Sequence, residues 1–202
     1  MRMEQGIKSF ALVGAIGACV FATVPLWFGF FGESTFVTIV DVLAQTLLLI
    51  GMAGIYTGNS EKLGKLGLVT TLLMMIGFIL MVFMKMASGF FKPILNEYAP
   101  EAVAGNMVPS PLGEIIGITM MFFPLSTVLF GLSVLLSKLP RRKTLGIALM
   151  VGPFGFLLPF GIYITPIVFA VAYFTLTTYV WGSKNNEARN SQRLPDSNQR
   201  LV

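Results

Sequence analysis

The chain has 202 residues, of which 55% are hydrophobic and 11% charged, with a mean hydropathy of +0.80 and a net charge of +5. A water-facing globule needs about a quarter of its residues charged, so the outer surface of this chain must face an apolar medium, and a lipid bilayer supplies one. The positive charge sits at the ends of apolar runs instead of forming a stripe, which argues against a nucleic-acid partner. The single Cys19 excludes an intrachain disulfide, and histidine is absent.

A spanning helix needs about 20 mostly apolar residues. The first candidate covers residues 10–31. Its basic start (Arg2, Lys8) and the box Ile16-Gly17-Ala18-Cys19 also fit a secreted leader with a lipidated cysteine. The apolar run continues to Phe31, however, which favours an uncleaved span. A second span is expected over 36–57, then a polar loop over 58–65 with Glu61, Lys62 and Lys65, then a third span over 66–86. The connection 87–113 holds Pro93, Pro100, Pro109 and Pro111, so one long helix is not expected there. Residues 90–103 read equally as a short helix on the membrane surface or as an irregular loop.

The fourth span is expected over 114–136, followed by a basic stretch, Lys138 to Lys143. Residues 145–181 are then apolar without interruption. A single helix of that length would reach about 55 Å, against a hydrocarbon core of about 30 Å. With Pro153, Pro159 and Pro166 inside it, the stretch reads as two short spans, 145–159 and 164–181, with a tight turn near 159–165. The tail 183–202 is polar and aperiodic, and is expected to be disordered in the cytoplasm.

The expected architecture is therefore an all-α integral membrane protein: one domain over residues 1–182, a bundle of six transmembrane helices, with both termini cytoplasmic. Lys and Arg concentrate in cytoplasmic loops. In this orientation the inner segments hold Arg2, Lys8, Lys62, Lys65, Lys138, Arg141, Arg142, Lys143, Lys184, Arg189, Arg193 and Arg200. Of the 14 basic residues, Lys85 and Lys92 alone then lie outside. Trp27 and Trp181 fall near span ends, where interfacial anchors sit.

An ionisable residue inside a span is costly and therefore a functional candidate. Asp41 lies roughly 7 Å into the second span, with Gln45 one turn further on the same face. Lys85 lies near the outer end of the third span, and Glu114 opens the fourth. All share the outer leaflet, so Asp41, Gln45, Lys85 and Glu114 are candidate substrate- or ion-binding residues, with the loop of Lys92, Glu97 and Glu101 lying over them. The plainer reading has Lys85 snorkelling to the headgroups and Glu114 resting beside a positive helix N-terminus. The short loop between the second and third spans makes those spans antiparallel neighbours, which predicts an Asp41–Lys85 ion pair.

Glycines and prolines within the spans (Gly14, Gly17, Pro25, Gly51, Gly54, Gly117, Pro124, Gly131, Gly152-Pro153-Phe154-Gly155) read first as close packing and kinks. They also resemble the broken helices of transporters. A faint repeat pairs Gly17…Pro25-Leu26 with Gly117…Pro124-Leu125, and Gly51-Met52-Ala53-Gly54 with Gly152-Pro153-Phe154-Gly155. Met74, Met75, Met120 and Met121 read as packing.

Without histidine, Ser–His hydrolysis, His-dependent phosphatase chemistry and paired-His zinc sites are excluded. The aspartates are Asp41 and Asp196, the latter in the tail, so an intramembrane aspartate dyad is excluded too. No Gly-Lys-Ser/Thr phosphate loop occurs. The expectation is a non-catalytic multi-pass protein of the cell (inner) membrane, without cofactor or metal: a partner subunit, sensor or immunity-type component, with a membrane-protein partner or a second copy of itself. The alternative is a small-solute or ion permease or channel using an outward-facing Asp41/Lys85/Glu114 cluster.

Overall fold

The computed structural model describes residues 2–32, 34–98, 110, 112–157 and 161–191. Among these the chain is helical, with no strand. The elements are α1 (Arg2–Phe31), α2 (Thr35–Met86), a π-helical turn (Ala87–Phe91), α3 (Lys92–Tyr98), α4 (Leu112–Leu136), α5 (Arg142–Val151), a 3-10 segment (Gly152–Leu157) and α6 (Gly161–Ser191). Four of the described helices are long and apolar enough to cross a membrane: α1, α2 continued through α3, α4 and α6. In an apolar medium backbone polar groups must bond within the segment, and the helix is the form that achieves this.

Gly32 closes α1 in the left-handed region (φ 62°), and its N–H bonds the Phe28 carbonyl at 2.9 Å. Ser34 then caps α2, its hydroxyl oxygen accepting from the Val37 N–H at 3.4 Å. Above this turn the rings of Trp27, Phe31 and Phe36 pack with centroids 5.7–5.9 Å apart.

α2 is not straight. Gly64 adopts φ 64°, ψ −161°, a conformation only glycine takes without strain. A straight helix would hold Asp41 and Lys85 about 66 Å apart; their side chains meet at 2.8 Å. The helix therefore reverses at Gly64 into two antiparallel limbs, 35–63 and 65–86. This corrects the expected polar loop over 58–65: all of it but Gly64 is helical. Helix-favouring Glu61 and Lys62 continue the first limb, and the buried Asn59 donates to the Ile55 carbonyl at 3.0 Å.

Glycines set how closely the helices cross. A Cβ on Gly51 would strike the backbone of Gly14, and one on Gly54 the backbone of Ala11 and Phe10. Gly17 lies against Leu47, Leu48 and Ala44, and beyond Cys19 the ring of Phe21 meets Phe169 of α6 at 6.5 Å. α1 is thus packed into the bundle on both sides of Cys19, which is exposed. Gly131 and Gly146 make the equivalent close crossing between α4 and α5. The glycines aligned by the faint repeat hold unlike positions: Gly17 is wedged, whereas Gly117 has nothing within 4 Å of an added Cβ.

The same contacts order the ends of the bundle. Gly54 meets Phe10 and Ala11, Gly58 meets Val180, and the Lys138 N–H bonds the Lys62 carbonyl at 3.1 Å. The start of α1, the Gly64 corner, the 137–141 turn and the last part of α6 therefore share one end. The Gly32 turn, α3 and the start of α4 share the other. At mid-depth lies an aromatic core of Phe78, Phe123, Phe169 and Tyr173, with ring centroids 5.5–6.5 Å apart.

Three further boundaries differ from expectation. The helix does not stop at residue 86 but continues through the π-helical turn to Tyr98, so the helical reading of 90–103 holds for 92–98; residues 99–109 lie outside the described part. Pro93 lacks an N–H and would crowd the carbonyl four residues back, and the wider π-helical turn accommodates both effects. The segment read as 145–159 is α5 followed by the 3-10 segment, together about 27 Å long. The change of helix type falls at Gly152-Pro153, where the Thr165 hydroxyl donates to the Gly152 carbonyl at 3.0 Å. α6 begins at Gly161, inside the expected turn, carries Pro166 within it, and runs to Ser191, into the tail expected to be disordered. Residues 192–202 lie outside the described part.

These crossings predict opposite outcomes for two glycines. Gly51→Leu should lower the thermal unfolding temperature in detergent sharply, because overpacking costs about 1–3 kcal/mol even where side chains can yield and here the obstacle is backbone. Gly117→Ala should leave it unchanged or raise it slightly.

Candidate functional site

Asp41 and Gln45 of the first α2 limb lie on one buried stripe. Val37, Asp41, Ala44, Gln45 and Leu48 are all buried and recur at helical spacing. Asp41 and Gln45 face the second limb near the open end of the hairpin. From the Gly64 corner, Asp41 lies about 35 Å back along one limb and Lys85 about 32 Å forward along the other. The remaining 3 Å is within reach of a lysine side chain. One turn further out, Gly89 lies so close that a Cβ there would strike Thr38, and this holds the limbs together beside the pair.

The Lys85 Nζ sits 2.8 Å from Asp41 Oδ2, with the Asp41 side chain 5% exposed and that of Lys85 36%. Gln45 Nε2 donates to Asp41 Oδ1 at 2.8 Å. Each carboxylate oxygen therefore has a donor, which is what a charge withdrawn from water requires. The Gln45 amide has a fixed sense, because only its NH₂ can donate to a carboxylate. Its Oε1 consequently points away from Asp41, and it is buried with no partner among the described residues.

Glu114 does not join this group. It is exposed and accepts from the Ser110 hydroxyl at 2.7 Å. The register is not at fault: Gly77 packs on Ser126 and Phe123, and the Thr127 hydroxyl donates to Met74 Sδ at 3.3 Å. That pairing puts Gly117 level with Lys85 and Glu114 about one turn beyond. But outside Phe123 most of α4 is exposed, Thr119 being the one buried residue between 113 and 122 among those described, and the Glu114 side chain faces away from the pair. In place of the expected trio of Asp41, Lys85 and Glu114, the structure brings together Asp41, Lys85 and Gln45. Nor does α3 cover the site: it carries Lys92 and Glu97 and buries no residue. Glu101 lies outside the described residues.

What the sequence did not reveal is the floor of the site. The Tyr173 hydroxyl donates to the Leu48 carbonyl at 3.4 Å, one turn inward of Gln45; Phe78 and Phe169 pack on that ring, and Phe123 packs on both of them. Deeper still, Thr71 Oγ1 and Asn59 Oδ1 are buried without partners among the described residues. An aromatic core at helical spacing looks the same in sequence as lipid-facing phenylalanine, so no signal marked it. Chemically the site offers a carboxylate, an ammonium and an unpaired amide oxygen, with no nucleophile beside them.

No protein-family model matches this chain, and neither the curated proteins nor the solved structures include a significant match.

The ion pair predicts a coupled stability. Asp41→Asn should lower the unfolding temperature in detergent by leaving the Lys85 charge uncompensated, and adding Lys85→Met should recover part of the loss. Contacting charges couple by about 0.5–3 kcal/mol in a double-mutant cycle, and the half-exposed lysine places this pair in the lower part of that range. Thermal unfolding of the four variants measures it; strictly additive losses would mean the residues do not interact.

Proposed function

We propose that this chain is a small non-catalytic multi-pass protein of the cell (inner) membrane that works as a partner subunit or sensor for another membrane protein. The outer half of α4 carries this reading. Between residues 113 and 122 Thr119 is the one buried residue among those described, Met121 is 79% exposed, and Gly117 has open space around it. A lipid-facing helix has no need of an outward glycine. A helix that receives another helix does, because small residues let two backbones approach.

The orientation belongs to the same proposal: six crossings with both termini cytoplasmic. It is supported by the reversal of α2, by an α5 and 3-10 unit of about 27 Å against a hydrocarbon core of about 30 Å, and by basic loops gathered at one end. The alternative, a solute or ion permease, needs polar groups that continue inward from Asp41. Beneath Gln45 the aromatic core intervenes instead.

Reporter fusions at Lys62, Arg142 and the C-terminus should read cytoplasmic, and one at Tyr98 external; an external C-terminus overturns the orientation. A photo-crosslinking residue at Met121 should give a discrete protein adduct in native membranes, from a partner or a second copy. The same probe at Val171, on an outward face of α6, should react with lipid alone. Lipid adducts at both positions would remove the partner reading, and cation flux into vesicles abolished by Asp41→Asn would replace it with the permease.

A further inference from the structure

We propose that the end of the bundle holding the Gly64 corner and the 137–141 turn is a docking surface for anionic phospholipid headgroups. Within residues 61–65 and 138–143 lie six cations, Lys62, Lys65, Lys138, Arg141, Arg142 and Lys143, and one acid, Glu61. The Lys62 carbonyl accepts from the Lys138 N–H at 3.1 Å, so the two basic segments form one surface. None of the six enters an ion pair among the described residues. Lys62 is half-buried and the other five are exposed. Cations gathered in this way repel one another, and phosphate groups relieve that repulsion. Orientation alone needs cations in each loop; it does not need the two loops bonded into one.

The surface is preformed, and it sits where lipid begins. Leu63, Leu139 and Leu145 are buried beneath it. Ser137 holds the turn: its hydroxyl oxygen accepts from the Leu139 N–H at 3.2 Å, and its carbonyl accepts from Arg142 Nη1 at 2.6 Å. A surface already in place binds at less entropic cost. Arg141 stands at φ 51°, a left-handed position that glycine would occupy without strain, so its side chain is present at a cost to the turn. Lys65 is followed by Leu66, Val69 and Leu72, and Lys138 is preceded by Leu132 and Leu136, all of them exposed. Each set recurs at helical spacing and is an outward apolar face. Both faces end in a lysine, which is the order of acyl chain and headgroup in a phospholipid. An acidic protein or a nucleic acid would match the charge but not these faces. The inference rests on the chain crossing a membrane, and on neither the partner nor the orientation proposed above.

The test uses the full chain in a neutral detergent. Equal amounts of phosphatidylglycerol and phosphatidylcholine with matched acyl chains are added, and native mass spectrometry counts the lipids retained. Phosphatidylglycerol should be retained severalfold over phosphatidylcholine, and about 0.5 M ammonium acetate should collapse the preference by screening. Phosphatidylglycerol should also raise the unfolding temperature by about 2–4 °C over phosphatidylcholine. The triple variant Lys65→Gln, Lys138→Gln, Lys143→Gln should lose the preference, and Lys92→Gln, at the other end of the bundle, should keep it. Arg141→Gly should weaken the preference while leaving the unfolding temperature without added lipid unchanged or higher, so it decides if the triple variant does not fold. Equal retention of the two lipids by the unaltered protein overturns the proposal, as does a preference unchanged in the triple variant. Inorganic phosphate or polyglutamate giving the same temperature rise as phosphatidylglycerol overturns it too, the first by showing a free-anion site and the second a surface for acidic protein.

Discussion

The left-handed backbone at Gly64 is the constraint on which the rest of this bundle depends. A reversal made by one residue leaves no loop to absorb slippage, so the two limbs of α2 have a rigid register. That register brings Lys85 to Asp41 across the open end of the hairpin and Gly89 against Thr38 just beyond. It also gives α1 and α6 the face of one limb and α4 the face of the other. A side chain at Gly64 would make the conformation strained, and the ion pair at the far end would lose its alignment.

The interior is less polar in effect than its composition indicates. Most buried hydroxyls bond back to a carbonyl three or four residues earlier on their own helix: Thr70 to Leu66, Thr119 to Ile115, Ser126 and Thr127 to Phe123, Ser133 to Phe130. Such groups are satisfied locally and do not combine into a path. Polarity crosses between helices at a few points: Thr177 to the Ala11 carbonyl, Thr165 to Gly152, Tyr173 to Leu48, Thr127 to Met74 Sδ, and the Asp41–Lys85 pair. The first three are neutral ties to backbone. The last carries formal charge.

This arrangement separates the bundle by depth. One end gathers the basic turns, with the Lys62 and Lys138 segments joined by a backbone hydrogen bond. The other has a charged pair under the open hairpin end and a half of α4 that is mostly exposed. Between them sits a close-packed aromatic layer.

Composition and spacing were enough to show a helical membrane protein, because too few charges exist to coat it and the apolar runs match bilayer thickness. They were also enough to bring Asp41 to Lys85. Helical rise and a short connection determine depth, and depth alone predicts that pair. Azimuth was not legible. Where lipid and core are equally apolar, a helix is hydrophobic all round and its periodicity no longer says which face is inward. For that reason Glu114, expected beside Lys85, is exposed and bonds Ser110 instead. The same ambiguity hid the Phe78–Phe123–Phe169–Tyr173 layer among the lipid-facing aromatics. Helix continuity through residues 58–63 and past Met86, and the 3-10 turn at Pro153, were likewise settled by tertiary structure, since glycine and proline only permit a break and packing decides where it falls.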